Sequence, residues 1–302
     1  MSTVLHGTSK TSKTSVAELR ARIRVLEGGW ERGSELPGGA APDAVPLGVP
    51  AIDAHLPDGG LRLAGLHEIA GAREEWDDAV VAGFCLALLG RLAARRSREA
   101  GAAPASPVLW AARRGDLYGP GVAGLVGPRA REILPGRLIL VHARRDADLL
   151  WALEEGLRAP AGTLNAVVGE AAAPDDTALR RLQLAAETAG RPCFLLRRRF
   201  FARPAAMPTS TPASLSAVAL TRWRVGALPP EKTRSETGLA GSLIGRPRWR
   251  LDLLRCRGAA PGSFTVEWDD ATGGFALAAP LCDRPVVSGP QAAAAEPDRR
   301  AG

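Results

Sequence analysis

Four carboxylates between residues 74 and 78 stand where a predicted strand gives way to a helix, and they limit the chemistry of that junction. An apolar strand ends at Gly71, and an apolar helix begins near Asp78. A phosphate-binding loop at such a junction needs a glycine cradle, a lysine and a magnesium-binding hydroxyl, but this chain has Glu74, Glu75, Trp76, Asp77 and Asp78. Negative side chains at a helix N-terminus favour its dipole, yet they repel a triphosphate. We therefore do not expect ordinary ATP hydrolysis.

No other group of residues has the spacing of a catalytic or metal-binding motif. The carboxylate cluster could hold a divalent cation through oxygen ligands, but helix capping and solvent exposure account for it without a metal. No Ser or Cys with a nearby His and acid forms a nucleophile motif, since the histidines are scattered as His6, His55, His67 and His142. The sequence predicts neither catalytic residues nor a metal site or cofactor.

A run of arginines and phenylalanines follows the predicted strand Cys193–Leu196, at the carboxyl end where α/β proteins usually place binding loops. Arginines beside aromatic rings suit single-stranded nucleic acid, because bases stack on the rings while guanidinium groups hold phosphates. The same residue types serve as anchors in protein interfaces. Contact with single-stranded DNA and contact with a protein partner are therefore both predicted alternatives for Arg197, Arg198, Arg199, Phe200 and Arg203.

Three tryptophans lie in predicted late strands beside arginines: Trp223, Trp249 and Trp268. Strand alternation puts alternate residues on opposite faces. This predicts that the tryptophans pack in the core, while the neighbouring arginines face solvent at positions 222, 224, 248 and 250.

The formal net charge of +7 comes mainly from arginine, because only three of the 39 basic residues are lysines. A basic surface is typical of nucleic-acid binding, but the same bias also arises from a GC-rich coding sequence. The chain has no run of eighteen apolar residues and no apolar segment behind its polar N-terminus, so we expect neither a membrane span nor a secretory signal. The four separated cysteines have no CxxC pair, which favours reduced core cysteines and a cytoplasmic protein.

The order of strands and helices predicts one large α/β domain. Short strands, apolar on both faces and separated by helices, are typical of a parallel sheet covered on both sides. Strands are predicted at 66–70, 108–112, 138–141, 166–169 and 193–196, with helices at 78–95, 146–157 and 176–189. Asp146 and either Asp175 or Asp176 are candidate N-caps. Later strands at 217–225, 248–257, 263–268 and 275–277 are expected to extend the sheet edge in antiparallel fashion.

Composition divides the chain into four parts. An N-terminal helical arm spans 1–32, with Val16, Leu19, Ile23 and Leu26 on its apolar face, and a Gly/Pro-rich linker spans 33–47. The α/β domain covers 48–282, and the Pro/Ala-rich tail 283–302 is expected to be disordered. We expect the arm to be separable from the domain and to dock either on a partner or back on its own domain.

The order and spacing of these segments resemble the RecA ATPase core. The stretch from Ile52 to Leu61, with its Gly59-Gly60-Leu61 turn, and the strand ending Glu68-Ile69-Ala70-Gly71 match the approach to the Walker A loop. The resemblance implies a RecA-like three-layer fold whose Walker A motif is degenerate at Gly71, Asp77 and Asp78. The Walker B motif is degenerate at Gly169 and Glu170, and the water-activating glutamate falls on Ala112 with Asp116 nearby. These substitutions imply a pseudo-ATPase.

A RecA-like chain with a degenerate loop, an N-terminal arm and the late strand beginning Arg248-Trp249-Arg250 resembles the ImuA family. The resemblance implies a non-catalytic accessory protein of SOS-induced mutagenic translesion synthesis. Its implied partners are an ImuB-like inactive Y-family polymerase, an error-prone replicative-type polymerase and RecA. Two rival functions stay open at this point: a cell-division inhibitor similar to SulA that binds the tubulin-like division protein, and an ATP-dependent recombinase.

Overall fold

The computed structural model describes residues 43–100, 106–125, 135–172, 174–198, 218–230, 246–269 and 272–278. Several predictions lie outside these residues: the arm with Val16, Leu19, Ile23 and Leu26, the linker up to residue 42, the tail, and the loop residues Arg199, Phe200 and Arg203.

The described residues form eleven strands and five α-helices. The strands are β1 (Ala44–Val45), β2 (Leu61–Arg62), β3 (Gly65–Gly71), β4 (Val108–Ala112), β5 (Leu138–His142), β6 (Ala166–Glu170), β7 (Pro192–Arg197), β8 (Thr221–Leu228), β9 (Arg248–Cys256), β10 (Gly262–Asp269) and β11 (Gly274–Leu277). The helices are α1 (Pro50–Asp53), α2 (Asp78–Ala100), α3 (Gly119–Leu125), α4 (Asp146–Arg158) and α5 (Asp176–Ala189). Two short 3₁₀ turns span Glu74–Asp77 and Pro135–Arg137.

Nine of the strands form one sheet in the order β11-β10-β9-β8-β3-β7-β6-β4-β5. The pairs from β8 through β3, β7, β6 and β4 to β5 are parallel, whereas β8–β9, β9–β10 and β10–β11 are antiparallel. The predicted fold class, a mostly parallel α/β sheet extended by late antiparallel strands, is confirmed. Parallel pairing brings the carboxyl ends of β3, β7, β6 and β4 to one edge of the sheet.

Two apolar cores flank the sheet and make the fold three-layered. One core holds α2 residues such as Phe84 and Leu89 and all three predicted tryptophans, which are buried as expected. The other holds Leu153 of α4 and Leu182 of α5. Burying aromatic rings of this size contributes about 2 to 3 kcal/mol each, so the tryptophans anchor the antiparallel extension beneath α2.

The helix termini agree only in part with the sequence. Asp175 caps α5, because its side chain accepts a hydrogen bond of 2.7 Å from the Ala178 N–H, and Gly190 ends that helix with φ 62°. Asp146 is not an N-cap: Arg145 holds that position, and Asp146 is the first helical residue.

Residues 43 to 47, placed by the sequence in the linker, are part of the folded domain. Ala44 and Val45 pair with Arg62 and Leu61 in antiparallel register, and the Leu47 side chain is completely buried. Asp43 also forms an ion pair with Arg96 at 3.1 Å. A two-residue strand gives too short an alternation for sequence patterns to reveal it.

Candidate functional site

The carboxyl edge of the sheet brings together three acids and one arginine from distant parts of the chain. Asp78 begins α2 after β3, Asp116 follows β4, Glu170 ends β6, and Arg198 follows β7. Because β3, β7, β6 and β4 are neighbours in the sheet, their carboxyl ends meet where an α/β protein holds its ligand. The resemblance to the RecA core predicted the degenerate Walker motifs at this edge.

Arg198 is the centre of this cluster. Its guanidinium Nη1 lies 2.5 Å from Oε2 of Glu170 and its Nη2 lies 2.9 Å from Oδ2 of Asp116. Its Nε lies 3.7 Å from Oδ2 of Asp78, and the side chain is only 10% exposed. Burial by itself would lower the pKa of Arg198, but Glu170 and Asp116 raise it above the ordinary value. A permanent cation of the chain therefore joins three carboxylates at the site.

Glu170 lies on the side of the sheet that faces this cluster, and Gly169 does not. The Trp110 indole N–H donates to Oε1 of Glu170 over 2.8 Å, whereas a Cβ atom at Gly169 would point at Leu153 of α4, 2.4 Å from its Cδ1. Of the two residues proposed for the degenerate Walker B motif, Glu170 therefore faces the Arg198 cluster, whereas Gly169 faces α4. Burial raises the pKa of Glu170, although Arg198 and Trp110 favour its ionised form.

Asp77 and Asp78 are buried, contrary to the expected solvent exposure of the carboxylate cluster. Asp77 accepts hydrogen bonds from the Arg73 N–H at 2.7 Å and the Ala227 N–H at 3.0 Å. Burial raises the pKa of Asp77, but these bonds and the Arg73 guanidinium bring it below its usual value. A carboxylate of the chain therefore occupies one backbone donor of the loop at which a P-loop would hold phosphate, and one backbone donor of the neighbouring strand β8.

The two described arginines of the predicted contact loop are paired with acids of the domain. Arg198 belongs to the acid cluster, and Arg197 lies 4.0 Å from Glu68, which also binds Arg222 at 3.0 Å. The side chains of Arg197 and Arg198 are 22% and 10% exposed, and their contact with DNA or a partner stays a prediction. The prediction that the arginines beside the tryptophans face solvent is wrong for Arg248. Its side chain is 5% exposed, and its Nε lies 3.3 Å from Oε1 of Glu267.

The described residues contain no cluster of three or more His, Cys, Asp or Glu arranged to hold a metal ion. At the acid cluster, Arg198 lies within ion-pair distance of Glu170, Asp116 and Asp78. Within the same residues, no helix combines the length and apolar character needed to cross a membrane.

Sequence reasoning missed the role of Arg198 and the contribution of Trp110. The arginine run after β7 was visible in the sequence, but the direction of the Arg198 side chain depends on Glu170 and Asp116, which come from the ends of two other strands. Glu170 and Asp116 were noted as acids near the expected catalytic positions. The available clue was that Arg198 follows a strand next to the one predicted to carry the Walker B motif.

The fold defines a RecA-like α/β domain. The crystal structure of the RadB recombinase superposes with a TM-score of 0.50 and covers 78% of this chain and 100% of RadB, at 14% sequence identity. No protein-family model matches the chain. Protein ImuA of Caulobacter vibrioides, found in two strains, is 40% identical over 261 residues, which cover 85% of this chain and 95% of that protein. The chain belongs to the ImuA family, and this relationship supports a role in damage-induced mutagenesis.

Proposed function

We propose that this protein is a cytoplasmic, catalytically inactive RecA-like scaffold of SOS-induced mutagenic translesion synthesis. Its partners would be an ImuB-like inactive Y-family polymerase, an error-prone replicative-type polymerase and RecA. The observation that carries the proposal is the ion-pair cluster of Arg198 with Glu170, Asp116 and Asp78. A nucleotide with its magnesium would have to displace an internal cation from three internal anions.

The cluster also supports a scaffolding mechanism. In RecA-like ATPases a bound nucleotide joins the loop after the first core strand to the Walker B strand. Here Arg198 makes that connection permanently, and Asp77 fixes the loop to β8 through the Ala227 N–H. The domain would therefore hold one conformation without nucleotide, which suits a protein that presents fixed surfaces to partners.

Nucleotide binding is the direct test of the inactive site. We expect no saturable binding of a fluorescent ATP analogue with Mg²⁺ by the full-length protein, and no hydrolysis. The variant Arg198→Ala, measured in parallel, shows whether removing the internal cation is enough to admit a nucleotide. Saturable ATP binding by the wild type would contradict the proposal and favour an ATP-dependent recombinase.

Function in cells is tested by deletion and purification. We expect the deletion strain to lose damage-induced mutation, and the tagged protein from DNA-damaged cells to copurify with an ImuB-like subunit, an error-prone polymerase or RecA. Filamentous cells on overexpression, with the division protein as the copurifying partner, would instead support a SulA-like inhibitor.

A further inference from the structure

The same three-residue motif, Arg-Trp-Arg, occurs on two neighbouring strands. It spans residues 222–224 on β8 and 248–250 on β9. Both tryptophans are buried beneath α2, so strand alternation sends the arginines to the opposite face of the sheet. The core requires the tryptophans, but it does not explain why arginines flank both of them.

Strand register gathers more charge onto that face. Arg222 lies opposite Glu68 of β3 and opposite Arg255 of β9. Arg224 lies opposite Asp252, and Asp252 lies opposite Ser263 of β10. Residues opposite one another in a sheet share a face. This arginine face comprises Arg197, Arg222, Arg224, Arg248, Arg250 and Arg255, with the acids Glu68, Asp252, Glu267 and Asp269.

The acids hold the arginines in place, and the arginines outnumber them by six to four. Asp252 binds Arg224 at 3.0 Å and Arg250 at 2.9 Å, and Glu68 is shared by Arg197 and Arg222. Burial opposes the ionised form of Asp252, but bonds from Ser263 and these two arginines bring its pKa below the usual value. Guanidinium groups fixed in this way lose little entropy when they bind an anion.

Two of these arginines are well placed to meet a ligand. Arg224 and Arg250 are 46% and 56% exposed in their side chains, although both touch Asp252. The large exposed apolar side chains of the described residues do not lie on this face. Leu277 of β11, for example, lies opposite Val266, whose side chain is buried on the α2 side of the sheet, so Leu277 is on that side as well. A face with charge but no apolar anchor fits a phosphate backbone better than a protein hot spot.

We propose that the arginine face of β8 and β9 binds the phosphodiester backbone of nucleic acid without reading its sequence. The charge excess supplies the attraction, and the regular spacing of side chains on the sheet, about 7 Å between alternate residues, offers several phosphate contacts. This face lies on the side of the sheet opposite the one where Glu170 meets Trp110, and its binding to nucleic acid does not depend on the proposed partners.

The test is fluorescence anisotropy with the full-length protein and labelled oligonucleotides, one single-stranded and one duplex, over a series of salt concentrations. The double variant Arg224→Ala and Arg250→Ala should bind at least tenfold more weakly at low salt. Loss of two phosphate contacts should reduce the slope of log K against log salt by about 1.4 for single strands or about 1.8 for duplex. The more strongly affected oligonucleotide identifies the physiological form.

Two matched variants make the result specific. Arg145→Ala with Arg180→Ala removes the same charge from exposed arginines on and beside α4 and α5, and it should bind like the wild type. Arg224→Lys with Arg250→Lys preserves the charge beside Asp252, so its salt slope should stay near the wild-type value even if the alanine variant is less stable. The proposal is overturned by equal losses in both alanine variants, by absence of binding in the wild type, or by polyglutamate competing as well as nucleic acid of equal charge.

Discussion

The guanidinium Nη1 of Arg198 lies 2.5 Å from Oε2 of Glu170, although the two residues come from the ends of different strands. Both side chains are largely buried, at 10% and 5% exposure. Their contact joins the last residue of β6 to the residue that follows β7 at the carboxyl edge of the sheet.

Replacing Arg198 with Ala should lower the free energy of unfolding by about 3 kcal/mol, because it leaves the buried carboxylates of Glu170 and Asp78, together with the exposed Asp116, without their shared cation. Urea denaturation at pH 7 measures the change. The control Arg145→Ala removes an arginine whose ion pair with Asp148 is exposed, and it should leave stability near the wild-type value. Equal stability of the two variants would show that the cluster is not structural.

Restoring the P-loop lysine with Asp77→Lys should not restore ATP binding. The substitution removes the acceptor of the Arg73 and Ala227 N–H groups and puts a cation beside Arg73, so we expect a loss of about 3 kcal/mol. Isothermal titration with Mg-ATP and urea denaturation test both parts. Asp77→Asn keeps an acceptor oxygen and should lose less stability, whereas ATP binding by the lysine variant would mean that the loop retains its phosphate cradle.

Gly169 is required because α4 packs directly on β6. A Cβ at this position would lie 2.4 Å from Leu153 Cδ1 and 2.9 Å from its Cδ2. Gly169→Ala should therefore cost about 1 to 3 kcal/mol through overpacking. In a Leu153→Ala background the same change should cost less, since the space is then available. A double-mutant cycle on thermal or urea unfolding measures this coupling, and additive effects would refute the close contact.

Stability should fall between pH 6.5 and pH 4 because of His67. Complete burial lowers the pKa of His67 to about 4 from 6.5, while Nδ1 accepts from the Thr221 hydroxyl and Nε2 donates to the Arg62 carbonyl, each over 2.8 Å. The unfolded chain takes up a proton first, so the contribution is complete above pH 6.5 and is lost as the pH falls toward 4. The loss amounts to about 3 kcal/mol.

Urea denaturation at several pH values, compared with the non-titrating variant His67→Gln, isolates this contribution. The variant should be less stable than the wild type at pH 7.5, and the difference should shrink toward pH 4.5. Parallel pH profiles would exclude His67 as the source.

The folded domain should begin between the arm and residue 43. Deletion of residues 1–32 is expected to leave the melting temperature nearly unchanged and to abolish partner binding, if the arm is the docking element. Deletion of residues 1–47 removes β1 and the buried Leu47, so it should lower the melting temperature by at least 5 °C. A large loss with the shorter deletion would place the arm within the fold.

Local patterns in the sequence determined the elements and their order. The strand Val108–Ala112 and the helix Asp176–Ala189 have the bounds that alternation and capping predicted, and the late strands follow the burial of their tryptophans. These features depend on residues only a few positions apart. The hydrophobic periodicity and the capping residues are therefore enough to predict them. The loss of lysine and hydroxyl from the loop was also visible, because residue type alone shows it.

Only the tertiary structure decided where the charged side chains point. Gly169 and Glu170 are adjacent in sequence, yet successive strand residues face opposite sides of the sheet. The pairing of the strands determined that Glu170 is the residue on the side of Trp110 and Arg198. Arg197 and Arg198 were expected in a binding loop, but they pair with Glu68 of β3 and with Glu170 at the end of β6. A buried charge requires a partner. The fold supplies the partners of Arg198, and one of them, Asp116, lies more than eighty positions away in the sequence.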